Sequence, residues 1–295
     1  MQLIEFGKKL NEPIVVCLGY FGCMHKGHVA LLDVAKRRAT ECNAKVALFT
    51  FRNNHLRVLG KDLNVLYTFE ERLHIYESLG IDYVIAAEFT DEFRKSTGAE
   101  FLQQLVKYEL KGVVCGFDYT CGSDRLRSSD LFNQLSAICP VDIVDAVLWS
   151  GNKVSTTLIR AMLADNNLPA ANMLLSEPYF LTGRVVAGRK VGAKIGFPTA
   201  NLQIDSDKLL VQGVYGGTVT LNGKKYKCIV NIGSKPTFDV DSATVEAHII
   251  DFNGNLYGQV LKVSLTKFLR KISKFASPSE LTRQLQNDRE NVLND

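Results

Sequence analysis

Gly19-Tyr20-Phe21-Gly22-Cys23-Met24-His25-Lys26-Gly27-His28 follows directly on the apolar run Ile14–Leu18, and that junction decides the fold of the first half. An apolar run bounded by glycine reads as a buried strand. Beyond it, Val29, Leu31, Leu32 and Ala35 recur at helical spacing. The ten residues are therefore a strand-to-helix turn, and His-x-Gly-His sets two imidazoles at the start of the helix. Unpaired backbone N–H groups and the positive end of the helix dipole favour an anion there, such as the phosphates of a nucleotide. The same two histidines also read as surface residues of a first turn or as a metal-ligand pair.

Outward from that turn, strand-like and helical stretches alternate. Strands are expected at Ile14–Leu18, Lys45–Phe51, Tyr83–Ala86, Gly112–Gly116 and Val141–Val147. One helix starts after Thr68, with Glu71 completing a capping box and Gly80 at its stop. Another starts after Thr97, with Glu100 in the same relation and Gly112 closing its end. Such alternation implies a parallel sheet covered by helices, with ligands beyond the carboxyl ends of the strands. His25 and His28 follow the first of these strands.

The pattern changes near residue 150. Val154–Leu175 reads as helical and joins two halves. From Phe180 strand follows strand. Gly213–Leu221 ends at Asn222-Gly223, a hairpin-turn dipeptide, and Lys225–Ile232 returns from it. Val245–Ile250 and Gln259–Phe268 follow, which together read as a small antiparallel barrel. A final helix is expected from Ser277 as N-cap, with Pro278 at N1 and Glu280 at N3. The expected division is 1–160, a helical linker 161–178, and 179–295.

Composition narrows the class. The 295 residues are 46% hydrophobic and 22% charged, which fits a globular chain with two cores. No apolar run approaches the ~18 residues of a membrane span. The first residues lack the basic-then-apolar order of a signal peptide. Seven cysteines are scattered without a Cys-x-x-Cys pair, as reduced thiols of a cytoplasmic protein would be. A formal net charge of +4 is too small and dispersed to argue for nucleic acid.

Three stretches of the second half carry chemistry. The glycine-spaced basic loop Gly183–Gly192, with Gly183, Gly188 and Gly192, would let backbone approach phosphates; it also reads as a plain barrel hairpin, and it is not a P-loop. Thr199 and Asn201, in Gly196-Phe197-Pro198-Thr199-Ala200-Asn201, are hard oxygen donors that suit Mg²⁺, or else a polar turn after proline. Glu246 lies in an alternating strand, either at the surface or facing a cavity as a base.

These pieces, in this order and spacing, resemble the bacterial bifunctional riboflavin kinase / FAD synthetase family over nearly the whole chain. The resemblance rests on His25-x-Gly27-His28, Val113–Tyr119 and Val154–Arg160. In the second half it rests on Gly196–Leu202, Gly213-Val214-Tyr215, Asn231-Ile232-Gly233, Lys235-Pro236-Thr237-Phe238 and Glu246. It implies a Rossmann-like nucleotidylyltransferase domain followed by a riboflavin kinase barrel with a terminal helix. ATP would be co-substrate, Mg²⁺ the metal, and FMN and FAD substrate and product. Partners would be riboflavin, FMN and ATP, with no nucleic acid and no membrane, in a monomer or weak homo-oligomer.

The resemblance also implies roles. Glu246 would be the kinase base, with Thr199 and Asn201 on the metal and Thr199, Gly183, Gly188 and Gly192 around the phosphates. His25, His28 and Arg160 would be catalytic in adenylyl transfer, with Phe21, Gly27, Asp118, Ser155 and Thr156 holding nucleotide. An apolar slot under the last helix would take the isoalloxazine ring. The chain departs from the family pattern at Gly22-Cys23, where Asp-Gly is usual. It departs at Asn53-Asn54-His55, which lacks two prolines, at Cys121 and Arg127, and at Ala193-Lys194. Two other readings remain at this stage. One is a lone riboflavin kinase with a degenerate first domain. The other is an aminoacyl-tRNA synthetase-like enzyme, since Lys271-Ile272-Ser273-Lys274-Phe275 imitates a second signature of that class.

Overall fold

The computed structural model describes residues 1–61, 63–188, 191–234 and 243–294. It divides into two compact units, Met1–Leu158 and the chain from Ile159 onward.

The first unit begins with β1 (Gln2–Glu5), β2 (Ile14–Leu18), α1 (Lys26–Glu41), β3 (Lys45–Phe51), α2 (His55–Val58), α3 (Phe69–Ser78) and β4 (Tyr83–Ala87). It continues with α4 (Asp91–Lys95), α5 (Gly98–Leu105), β5 (Leu110–Gly116), the small hairpin β6 (Thr120–Cys121) and β7 (Leu126–Arg127), and α6 (Ser128–Leu135). β8 (Val141–Val144), β9 (Leu148–Trp149) and β10 (Asn152–Lys153) complete it, and α7 (Thr156–Ala164) crosses the division. Six strands form one sheet in the order β1-β4-β3-β2-β5-β8, every pair parallel. Ile14, Val15, Val16 and Cys17 are completely buried, as expected of a parallel sheet covered on both faces. The capping boxes at Thr68/Glu71 and Thr97/Glu100 both form.

Strand order fixes where a ligand can sit. The chain leaves β2 toward β3 on one side and leaves β5 toward β8 on the other. The carboxyl ends of β2 and β5 therefore flank a topological switch point, the crevice where open α/β sheets bind ligands.

Three expectations for this region are corrected. Gly112 does not close a helix: α5 ends at Leu105, and Gly112 lies in β5, where a Cβ would come 2.3 Å from the Arg38 side chain. The strand expected over Val141–Val147 stops at Val144. The expected helix Val154–Leu175 is two helices, α7 and α8 (Leu168–Leu174). Asn166 at φ +56° breaks it and Asn167 caps the second.

The second unit continues with β11 (Phe180–Val186), α9 (Val191–Lys194), β12 (Ala200–Ile204), β13 (Gly213–Leu221), β14 (Lys224–Ser234), β15 (Ala243–Ile249), β16 (Val260–Arg270) and α10 (Pro278–Leu293). The strands close into a barrel in the order β11-β12-β15-β14-β13-β16, with every neighbouring pair antiparallel. Asn222 and Gly223, at φ +49° and +78°, make the two-residue turn that the sequence announced. Ser277 caps α10, accepting the Glu280 N–H at 3.3 Å, and Pro278 opens the helix.

α10 lies on the outside of the barrel. Val292 packs with Val214, Ile229, Ile250 and Leu269. Arg270 donates to Asp288, whose side chain is almost fully buried, from Nη2 at 2.9 Å. Lys227 Nζ donates to the Val292 and Leu293 carbonyls at 3.0 Å, which satisfies acceptors at the end of the helix.

Candidate active sites

In the first unit, a cavity of about 330 Å³ opens at the switch point. It is lined by Phe21, His25, Gly27 and His28 after β2, by Asp118 after β5, by Asp145 after β8, and by Lys153, Ser155 and Thr156 at the approach to α7. Every residue assigned to adenylyl transfer from the sequence lies here except Arg160. That residue sits one turn into α7, beyond the division between the units.

The turn is held from below. Phe21 adopts φ +49°, and its carbonyl accepts the Tyr76 hydroxyl at 2.8 Å. Thr50 Oγ1 donates to the Tyr20 carbonyl at 2.6 Å. The fully buried Arg72 donates to Thr50 Oγ1 and to the carbonyls of Phe51 and Tyr20. Its guanidinium also lies over the Tyr20 ring at 4.8 Å. A cation stacked on a ring while donating to carbonyls ties the turn after β2 to the end of β3 and to α3.

His25 is the N-cap of α1, its Nδ1 accepting the His28 N–H at 3.2 Å. The two rings stack with centroids 3.7 Å apart, and His28 Nδ1 faces the Cys23 carbonyl. A Cβ on Gly27 would lie 3.1 Å from the His25 ring and 3.4 Å from the Val154 carbonyl, so the motif's glycine keeps this packing open. Burial lowers His25 to about 2, with His28 and Lys153 adding to the shift. Burial, helped by Lys153, lowers His28 to about 4. Both rings are neutral in the free protein near pH 7. His55, in the aromatic cluster with Tyr20, is lowered to about 4, again chiefly by burial.

These shifts carry a stability prediction. The unfolded chain takes up protons on these imidazoles as pH falls below their ordinary 6.5, while the folded unit refuses them down to about 4, and lower for His25. Stability therefore falls between about pH 6.5 and 4, by about 1.4 kcal/mol per pH unit for each histidine. Calorimetry should show the first unit melting at lower temperature at pH 5 than at pH 7. An equal Tm would mean that the rings are solvated.

The departures from the family pattern have structural substitutes. The Tyr20 ring fills the space beside Gly22, where a Cβ would come within 2.4 Å of it. Cys23 Sγ lies 3.5 Å from Thr156 Oγ1, joining the turn to the start of α7. Asn53 exchanges two hydrogen bonds with the Phe89 backbone at 2.8 and 2.9 Å. Asn54 caps α2 and donates to the Leu63 carbonyl. Hydrogen bonds thus hold the segment that two prolines would stiffen. Cys121 packs on the main core.

In the second unit, register brings the polar residues together. Asn201 in β12 stands directly opposite Glu246 in β15, and Glu246 stands directly opposite Asn231 in β14. Directly opposed residues share a face, so these three form one row across adjacent strands. Thr199 Oγ1 donates to Glu246 Oε2 at 3.4 Å. Asn231 is opposed in turn to Val214, which packs against α10. The row therefore lies on the face that α10 partly covers.

A cavity of about 500 Å³ adjoins Thr199, lined also by Val185, Ala247, Ile249 and the loop Phe252–Tyr257. Neither this loop nor Asn231 was assigned a role from the sequence.

The glycine loop is partly corrected. Gly183 belongs to β11 and pairs with Ile204 and Leu261, so its backbone is committed to the barrel and cannot wrap phosphates. Gly188 does lie against the site, since a Cβ there would fall 2.1 Å from the Asn201 amide. Gly192 packs on the Phe197 carbonyl, where a Cβ would come within 2.2 Å. Arg189, Lys190 and the segment Lys235-Pro236-Thr237-Phe238 lie outside the described residues.

An open α/β unit with two histidines at its switch point, followed by a closed barrel with a carboxylate-centred polar row, defines a two-site transferase. Family models agree with each half: FAD synthetase matches residues 7–158 and riboflavin kinase matches residues 175–294. The bifunctional riboflavin kinase/FMN adenylyltransferase of Bacillus subtilis (strain 168) is 31% identical, over 97% of this chain and 93% of the relative. That of Escherichia coli (strain K12) is 32% identical, over 94% and 91%. A solved structure described as a macrolide-efflux protein from Streptococcus pneumoniae superimposes with a TM-score of 0.91 at 31% identity, covering 99% of both chains. The chain belongs to the bifunctional riboflavin kinase/FMN adenylyltransferase family. With both halves matched, a lone kinase is not favoured. Lys271–Phe275, which imitates a second synthetase signature, falls within the riboflavin kinase match. Among the described residues no helix is long and apolar enough to cross a membrane.

Proposed function

We propose that the chain makes FAD from riboflavin in two ATP-dependent steps, one in each unit. In the barrel, Glu246 takes the proton from the ribityl hydroxyl as its oxygen attacks the γ-phosphorus of ATP. The bond to the bridging oxygen breaks, ADP leaves with the electron pair, and FMN forms. The observation that carries this reading is the row Asn201–Glu246–Asn231 with Thr199 against it. The nucleotide occupies the cavity beside Thr199. The flavin lies on the Glu246 face, partly under α10.

Thr199 and Asn201 would hold Mg²⁺. Among the described residues no cluster of three His, Cys, Asp or Glu side chains could hold a metal alone. Two neutral oxygens beside one carboxylate instead fit an ion that keeps water and phosphate oxygens as its other ligands. When bound, Mg²⁺ supplies charge neutralisation on the phosphates. Gly188 lets the loop come close to Asn201, and Gly192 shapes its far end. Phosphoryl transfer needs positioning and charge more than covalent help, so this set suffices.

In the first unit an FMN phosphate oxygen attacks the α-phosphorus of a second ATP, and pyrophosphate leaves. The FMN phosphate is already a nucleophile, so no base is required. His25, whose Nδ1 accepts from the His28 backbone, donates to the phosphates from Nε2. His28, whose Nδ1 proton goes to the Cys23 carbonyl, donates from Nε2 once it takes up a proton with the incoming phosphates. Ser155 and Thr156 hold the outer phosphates at the start of α7, and Arg160 follows one turn on. Phe21 and Gly27 shape the turn, and Asp118 takes the nucleotide's hydroxyls. The two activities are assigned to residues 1–160 and 179–295, joined by 161–178, in a cytoplasmic protein.

Chromatography of products tests the reading. With riboflavin, ATP and Mg²⁺ the purified protein should yield FMN and then FAD; with FMN in place of riboflavin it should yield FAD. FMN left unconverted would remove the first-unit activity from the assignment.

A further inference from the structure

We propose that Lys153 is a phosphate-binding residue of adenylyl transfer, held by Asp118 until the nucleotide takes it over. This rests on reading the first unit as an adenylyltransferase. Among the described residues that line the switch-point cavity, Lys153 is the only lysine or arginine. His25 and His28 also line it, but their rings are neutral in the free protein and bring no charge to an incoming anion. Asp118 and Asp145 add negative charge to the same space. ATP and the FMN phosphate bring several more negative charges, so a cation at the wall has a large electrostatic task.

Lys153 is placed to meet it. It pairs with Leu148 in the β9–β10 hairpin, and the Val154 N–H donates to the Val147 carbonyl at 2.9 Å, which fixes the backbone from which its stem rises. Its ammonium reaches the Asp118 carboxylate and lies 5.0 Å from the centre of the Phe117 ring. The two side chains of the ion pair are 41% and 55% exposed. So exposed a pair is weak, and a polyphosphate carries more charge than one carboxylate. Exchange of partners moves the ammonium to phosphate and leaves Asp118 free to accept from the nucleotide's hydroxyls. As the α-phosphorus bond breaks and its electron pair departs on pyrophosphate, Lys153 faces the charge that grows there.

The test uses the full chain with Lys153→Met, Lys153→Arg and Asp118→Asn. FAD formation from FMN and ATP is measured beside FMN formation from riboflavin in the same preparation, and binding of inorganic pyrophosphate is measured by calorimetry. Lys153→Met should lower kcat/KM for FAD formation about 100-fold and weaken pyrophosphate about 10-fold, leaving FMN formation intact. Lys153→Arg should recover most of both losses. Asp118→Asn should bind pyrophosphate more tightly, since it releases the lysine. A Lys153→Met enzyme that makes FAD at the wild-type rate and binds pyrophosphate as before overturns the inference. Wild-type protein that makes no FAD sinks the adenylyltransferase reading instead, and pyrophosphate binding then still decides whether Lys153 holds polyphosphate.

Discussion

Glu246→Gln should abolish FMN formation, by about 10²- to 10⁴-fold in kcat, while FAD formation from supplied FMN continues at the wild-type rate. A positioned general base contributes that much, and glutamine keeps the shape and the hydrogen bond from Thr199 while removing the basic oxygen. The half-buried side chain sits on the outer face of a closed barrel, so the substitution leaves the packed interior alone. Equal loss of both reactions would show that the two sites are not separable. Retained FMN formation would move the base elsewhere, and His248, two residues on along the same face, would be the first place to look.

His28→Ala should give the mirror image. FAD formation should fall about 10²- to 10³-fold, as loss of one donor to a developing oxyanion does, with FMN formation unaffected. The ring stacks on His25, so alanine also removes the support that orients the neighbouring imidazole. The α1 cap survives, because His25 Nδ1 accepts from the His28 backbone and not from its side chain. Assay of both products from one preparation separates loss of chemistry from loss of fold. A variant that keeps full FAD synthesis would exclude the motif from catalysis.

Much of this was legible in the sequence because it depends on local chemistry. The capping boxes at Thr68 and Thr97, the turn at Asn222-Gly223 and the Ser277-Pro278 helix start each need only a few adjacent residues. Gly112 and Gly183 were misread because glycine signals both chain breaks and close packing. Only the fold shows that Arg38 crowds the one and β12 the other. Asn231 and Lys153 join their sites through pairings across the sequence, and Lys153 is one of many exposed basic residues. The buried Arg72 drew no notice in the sequence, because its partners lie on β3 and on the loops after β2 and β3.

The row Asn201–Glu246–Asn231 has one more consequence. Side chains alternate across a strand, so a slip of one residue in β15 would turn Glu246 inward and replace it with Val245 or Ala247. A slip of two would bring Thr244 or His248 into its place. No intermediate alignment leaves the carboxylate slightly displaced. The barrel has no open edge along which a strand could creep. Errors of assembly in this half should thus yield inert molecules rather than sluggish ones, and specific activity in a preparation should count correctly closed barrels.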